Sequence, residues 1–224
     1  DPETSLKILD AVISTKVECF VFCDTNGGTL PSEVHEIISE IISKYPKANF
    51  GVHFQNDNGC AVANSMVAVD LGVNHVQGTI NGYGERTGNA DLCTLIPNLT
   101  LKKGYKTIPK HSLGQLTPTA NHIAELVNVA IDSRHPYVGS SAFTHKAGLH
   151  ASGMAKDSSL YEHIDSAAVG NFTRTTVSEL AGRASVLTKA EEFGLEFNND
   201  DAKKLIEEVQ NLEHMGYQFE AADG

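Results

Sequence analysis

Two clusters of polar residues in this sequence could do chemistry together. The first is HFQND at 53–57, which supplies an imidazole, amides and a carboxylate, and the second is GYGERTGN at 82–89. Between them, the small-residue segment 59–65 predicts the start of a helix. Histidine nitrogen and amide or carboxylate oxygen form a ligand set that suits a divalent ion such as Mg, Mn or Zn. We therefore expect an active site where the two clusters meet.

The elements around these clusters predict how they meet. Apolar runs at 50–52 and 76–80 stop where the polar clusters begin, and a helix of about a dozen residues fits between them, as in a parallel βαβ unit. A further apolar run at 17–23, a helix from Pro31 and a helix over 90–101 extend the pattern. This repeat of roughly 30 residues favours a TIM barrel, in which reactive side chains gather at the carboxyl ends of the strands.

The two ends of the chain differ in pattern. An amphipathic helix at 1–13 has no strand before it, so we expect the N-terminal part of a barrel to be absent and three of its eight strands to be present. After residue 104, prolines punctuate polar loops, and helices are predicted over 120–131 and 200–215. The expected fold class is therefore α/β, with the C-terminal portion of a TIM (β/α)8 barrel at 1–104 and a helical linker subdomain at 105–224.

Composition restricts the partners and the compartment. The net charge of −11 argues against nucleic acid or an anionic membrane as a partner. No apolar run of about 18 residues and no signal-peptide pattern is present, so we expect a cytoplasmic protein. The four cysteines lie in apolar segments without a Cys-x-x-Cys pair, which predicts buried, reduced thiols.

Several polar residues also have a purely local interpretation. Thr25 could cap a turn, and Asn56 or Asp57 could cap the following helix. Asn89 could cap the helix predicted after it. The glycines of the 82–89 cluster permit left-handed backbone and close approach to a ligand, but such a run is common in simple turns.

Four motifs resemble the α-isopropylmalate, homocitrate and citramalate synthase family. They are HFQNDNGCA at 53–61, TINGYGERTGN at 79–89, CDTNGG at 23–28 and FTHKAGLH at 143–150, and they occur in the family's order over almost the whole chain. The citramalate synthase branch is the most similar, through QGTINGYGER, PYVG at 136–139 and GYQFEA at 216–221. The second histidine of the family's His-x-His pattern is Gln55 here, which offers only an amide oxygen and favours Mg or Mn over Zn.

The resemblance implies a role for eleven residues. It implies His53, Gln55 and Asn89 as metal ligands. It implies catalytic roles for His150, Tyr161 and Glu85, with His150 as base or activator of water, acting across a homodimer interface. The implied substrate-binding residues are Thr25, Asn56, Asp57, Asn81 and Arg86, of which Asp57 could instead orient a ligand of the metal.

The implied reaction is that of an acyltransferase. Acetyl-CoA and pyruvate undergo a Claisen condensation, and hydrolysis of the thioester gives citramalate for isoleucine biosynthesis. Isopropylmalate and homocitrate synthesis, which use other 2-oxo acids, are alternatives. A lyase of the same fold would need a catalytic cysteine loop that we do not find, and a non-catalytic ligand-binding paralogue is the alternative of a different class.

Overall fold

The chain forms two compact units. The structure, a computed structural model, describes residues 2–145, 161–175 and 198–215, together with residues 187, 190 and 194–196. The first unit holds Asp1–Pro109 and His122–Val129, and the second holds Lys110–Asn121 and Ala130–Gly224. The boundary predicted at residue 104 stays a prediction.

The first unit is built on a parallel sheet with the strand order β1-β2-β3. The strands are β1 (Phe20–Asp24), β2 (Phe50–Phe54) and β3 (His75–Gln77). The helices are α1 (Pro2–Val12), α2 (Pro31–Lys44), α3 (Ala61–Asp70) and α4 (Leu92–Pro97). Three parallel strands alternating with helices are the arrangement that the sequence predicted for part of a TIM barrel.

One face of the sheet packs against the helices to form the core. Phe50, Val52 and Phe54 of β2 alternate with residues of the other face, and all three are buried against the apolar side of α2 and against α3. Burial of such side chains contributes roughly 1.5–3 kcal/mol each. Because side chains of a strand point to opposite faces in turn, the same alternation leaves Gly51, His53 and the following Gln55 on the opposite side of the strand.

At the N-termini of three helices, a side-chain oxygen accepts a hydrogen bond from a backbone N–H group. Glu33 accepts from the backbone N–H of Leu30 at 2.7 Å, Asn56 Oδ1 accepts from Ala61 N–H at 3.2 Å, and Asp91 accepts from Cys93 N–H at 2.9 Å. These bonds satisfy N–H groups that have no partner within the first turn of a helix. The loops after β2 and β3 are thereby fixed to the helices that follow them.

Several element boundaries differ from the prediction. The fifth helix, α5 (Leu116–Val127), begins four residues before the predicted position because Pro118 lies in its first turn, where no N–H donor is needed. It ends at Asn128, which has a left-handed φ of 54°. β3 ends at Gln77 because Ile80–Gly82 forms a 3-10 turn, and α4 stops at Pro97, where a π-helical turn, Asn98–Lys102, follows.

The second unit has short elements and its own buried residues. It contains the paired strands β4 (Thr144–His145) and β5 (Arg174–Thr175), and helix α6 (Asn199–His214). Buried Asn171 donates from its side chain to the carbonyl oxygens of Tyr137 and Gly139, both at 3.0 Å. This amide ties the segment before β5 to the segment before β4.

The prediction that all four cysteines are buried was wrong. Cys93 is buried, and burial raises the pKa of its thiol to about 12. Cys19 and Cys60 are half-buried, and Cys23 is exposed because it lies on the face of β1 that the helices do not cover.

None of the helices in the described ranges is long and apolar enough to cross a membrane.

Val52 provides a test of the core. It is fully buried in β2, so Val52→Ala should lower the free energy of unfolding by roughly 1–3 kcal/mol, through lost burial and the cavity that remains. Val17→Ala, at a position that is 53% exposed, is the control and should change it by less than about 0.5 kcal/mol. Urea denaturation measures both, and equal losses would contradict this packing.

Candidate active site

Polar side chains line the face of the sheet opposite the helices. In the strand register, Cys23 lies beside His53 and His53 lies beside Gln77, so one row crosses all three strands. His75 lies two residues before Gln77, on the same face of β3. Cys23, His75 and Gln77 are all exposed, so this row of small or polar residues is available for ligands.

Three predicted metal ligands converge at the carboxyl edge of this face. The Asn89 side-chain nitrogen lies 3.0 Å from His53 Nε2 and 2.9 Å from Gln55 Oε1. Asn89 is only 8% exposed. An amide NH₂ has two donors, so His53 and Gln55 both direct a lone pair at the same small region. This convergence is the arrangement expected of side chains that bind one ion.

Backbone bonds bring Asn89 to this position. Asn56 N–H donates to Gly88 O at 2.9 Å, and Ala90 N–H donates to Phe54 O at 3.1 Å, so residues 88–90 run beside the end of β2. Gly88 has a φ of 89°, and a Cβ there would collide with the Gly82 carbonyl. A Cβ on Gly84 would collide with Asn89 Oδ1. Glycine at 88 is therefore required for the loop to return, and glycine at 84 leaves room for the Asn89 amide.

The donor set fits a divalent ion held by neutral ligands. His53 offers Nε2, Gln55 offers Oε1, and Asn89 offers Oδ1 when its amide is turned over. Within the described ranges there is no cluster of three or more His, Cys, Asp or Glu side chains that could hold a metal. Carbonyl oxygens with one imidazole suit Mg or Mn better than Zn. The remaining coordination positions suit oxygen atoms of an anionic substrate, of water or of further ligands.

Arg86 ties together the loops that follow all three strands. Its guanidinium donates to both carboxylate oxygens of Asp57, at 2.8 and 2.9 Å, and to the Thr25 carbonyl oxygen at 2.8 Å. The Asp57 side chain is 27% exposed and that of Arg86 41%. The hydrogen bonds and charge of Arg86 lower the pKa of the Asp57 carboxyl. Arg86 and Asp57, both predicted to bind substrate, are thus paired with each other.

The other predicted residues of the first unit have varied positions. Asn56 uses one lone pair of Oδ1 to cap α3, which leaves the second lone pair and the side-chain nitrogen for a substrate. Thr25 and Glu85 are exposed on their loops. Asn81 has a left-handed φ of 59°, and its Oδ1 lies 3.4 Å from Cys93 Sγ. The substrate-binding roles of Asn56, Thr25 and Asn81, and the catalytic role of Glu85, stay predictions.

In the second unit, Tyr161 is 40% exposed, and His150 lies outside the described residues. The neighbour of Tyr161, Glu162, has a side chain that is only 7% exposed. It accepts from Thr173 Oγ1 at 2.7 Å and lies 3.3 Å from His145 Nε2. Sequence reasoning missed Glu162, because nothing in a lone Tyr-Glu pair indicates a buried carboxylate.

A parallel βα segment with polar side chains gathered at the carboxyl ends of its strands is typical of the active site of a TIM-barrel enzyme. The chain belongs to the HMGL-like family, whose model matches residues 1–123. A second model, described as homocitrate synthase post-HMGL domain-like, matches residues 137–216. The crystal structure of the Bacillus subtilis HMG-CoA lyase superposes with a TM-score of 0.52, over 60% of this chain and 46% of that one, at 22% identity. The predicted barrel fold is confirmed.

Curated relatives are similar over all or most of the chain. (R)-citramalate synthase of Aquifex aeolicus is 48% identical over 100% of this chain, and that of Geobacter sulfurreducens is 44% identical over 100%. 2-Isopropylmalate synthase of Bacillus thuringiensis is 36% identical over 84%. The chain spans 43%, 42% and 38% of these proteins, respectively. The resemblance to this synthase family, found from the motifs, is confirmed.

The Arg86–Asp57 pair predicts a pH-dependent contribution to stability. Because the folded-state pKa of Asp57 is lowered from its ordinary 3.8, the stabilisation is fully present above that value and is lost as the pH falls through the lowered pKa. The stability difference between wild type and Arg86→Met should therefore be constant above about pH 5 and shrink below about pH 4. Urea denaturation at several pH values measures it.

Arg86→Lys separates the two causes of the lowered pKa. It keeps the charge but loses the planar fork that donates to both carboxylate oxygens, so its stability should lie between those of wild type and Arg86→Met. A difference between wild type and Arg86→Met that does not change with pH would contradict the assignment.

Proposed function

We propose that this chain carries the metal-holding portion of a citramalate synthase active site. Such an enzyme condenses acetyl-CoA with pyruvate and hydrolyses the thioester, giving citramalate and free CoA. The observation that carries the proposal is the convergence of His53 Nε2 and Gln55 Oε1 on the Asn89 amide. The similarity to (R)-citramalate synthases over the whole chain supports the choice of reaction.

The reaction sets two physical requirements. The keto carbon of pyruvate must become electrophilic, and a methyl proton of acetyl-CoA must be removed so that the enolate carbon can form the new bond. His53, Gln55 and Asn89 would hold the divalent ion, Mg or Mn by their donor types. When bound, such an ion supplies Lewis acidity to the keto oxygen.

The protein groups have separate tasks in this proposal. Residues 82–90 keep Asn89 in place through their backbone bonds, and Arg86 holds the neighbouring loops to one another. Glu85, exposed on the same loop, contributes to the acyl-CoA site. His150 takes the methyl proton or activates the hydrolytic water, and Tyr161 acts with it.

Three statements on the assembly and the cellular context stay predictions, two of them from the resemblance and one, the location, from the composition. They are a homodimer, a cytoplasmic location and a role in isoleucine biosynthesis. The similarity to 2-isopropylmalate synthase keeps 2-oxoisovalerate as the second candidate substrate.

Substrate choice is tested by CoA thiol release from acetyl-CoA in the full-length protein. Pyruvate, 2-oxoisovalerate and 2-oxoglutarate are each supplied with and without EDTA. We expect release with pyruvate, its loss with EDTA, and its return with excess Mg or Mn. A tenfold or greater preference for 2-oxoisovalerate, about 1.4 kcal/mol in the transition state, would replace the assignment by isopropylmalate synthesis.

Binding of Mn(II) tests the ligand set without catalysis. His53→Ala and Asn89→Ala should each weaken Mn(II) binding by about tenfold or more, since even changes to residues that only orient a ligand cost 10–100-fold. His35→Ala, at an exposed position of α2, is the matched control and should bind as wild type does. Electron paramagnetic resonance of free Mn(II) measures the affinities. A wild-type protein that binds no Mn(II) at millimolar concentration would favour the non-catalytic paralogue.

A further inference from the structure

Gln77 lies directly beside His53 on the open face of the sheet. The two residues are register partners on β3 and β2, and Gln77 Oε1 is 3.1 Å from His53 Nδ1. The opposite ring nitrogen, Nε2, is the one that faces Asn89. Both nitrogens of the His53 ring are therefore engaged, one by each neighbour.

These contacts determine which ring nitrogen of His53 carries the proton. A carbonyl oxygen can only accept, so His53 Nδ1 donates to Gln77 Oε1. Nε2 then keeps its lone pair, which accepts from the Asn89 amide. A metal ion binds imidazole through such a lone pair, so the bond to Gln77 leaves the nitrogen that faces Asn89 and Gln55 available for coordination.

His75 lies on the other side of the Gln77 amide from His53. The Gln77 side-chain nitrogen lies 3.3 Å from His75 Nε2, where it can donate. If the amide turned over, its NH₂ would face His53 Nδ1, and the proton on His53 would move to Nε2. That proton would then point at the Asn89 NH₂, and two donors would oppose each other. The orientation with the Gln77 carbonyl toward His53 is therefore the one that matches the Asn89 contact, and it lets the Gln77 NH₂ donate to an unprotonated His75 Nε2.

We propose that Gln77 is a positioning residue that holds His53 in the tautomer and ring orientation needed to bind the divalent ion, with His75 orienting Gln77 in turn. This inference rests on the proposed function, because it assigns a role relative to the same ion. It predicts that the acceptor atom at position 77 matters for metal affinity although the residue itself does not reach the ligand cluster.

Two substitutions at Gln77 in the full-length protein test the role of the acceptor. Gln77→Met keeps the length but removes the acceptor, so Mn(II) affinity should fall 10–100-fold. Pulsed electron paramagnetic resonance should show a weaker or heterogeneous coupling of Mn(II) to an imidazole nitrogen. Gln77→Glu keeps an acceptor oxygen and should retain affinity within about threefold, with the wild-type nitrogen coupling.

Control measurements separate positioning from folding. Gln77 is exposed on the open face, so the urea midpoint should be unchanged in both variants. His75→Ala, which removes only the contact that orients Gln77, should cause a smaller loss of affinity than Gln77→Met. The inference would be overturned if Gln77→Met bound Mn(II) with wild-type affinity and nitrogen coupling. It would also be overturned if Gln77→Glu lost as much Mn(II) affinity as Gln77→Met. Wild-type protein without Mn(II) binding would overturn the proposed function as well.

Discussion

The Asn89 amide between His53 and Gln55 is the interaction on which the site depends. It joins the end of β2 to the loop that follows β3, and it exists only because residues 88–90 return alongside β2. The return in turn requires glycine at 88, where a side chain would collide with the Gly82 carbonyl, and glycine at 84 leaves room for the Asn89 amide. The conformation of the loop therefore also sets the geometry of the three candidate ligands.

One face of the sheet stabilises the fold, and the other face carries the candidate ligands. The side chains of Phe50, Val52 and Phe54 point at the helices and hold the sheet, whereas Gly51, His53 and the adjoining Gln55 alternate to the other side. Because the backbone of β2 is fixed by the core, His53 has a rigid base. The Arg86 bonds to Asp57 and Thr25 then fix the loops beyond the strand ends relative to one another.

Much of this arrangement could be predicted from the sequence. Apolar runs and polar ends were enough to place three parallel strands with helices between them, and to place His53 and Asn89 at one edge. The predicted start of α5 was wrong because Pro118, which was assigned to a polar loop, is acceptable in the first turn of a helix. The predicted burial of Cys23 was wrong because an apolar run does not reveal which face of the strand the helices cover.

Other parts of the site depended on contacts that no local pattern contains. The pairing of Arg86 with Asp57 joins residues 29 positions apart, and either one alone resembles an ordinary surface charge. Gln77 lies beside His53 only through the register of β2 and β3, which alternation alone does not fix. Glu162 becomes notable only once Thr173 and His145 are brought against it.

The absence of charge among the three candidate ligands has a thermodynamic consequence. Imidazole and amides do not neutralise a dication, so an ion bound by His53, Gln55 and Asn89 alone would keep its full positive charge toward an approaching carboxylate. Ion and oxo acid should then reinforce each other, each raising the affinity of the other by the same factor. The fraction of sites that hold the ion would thus depend on the concentration of the oxo acid as well as on that of the ion, and the same would be true of the oxo acid.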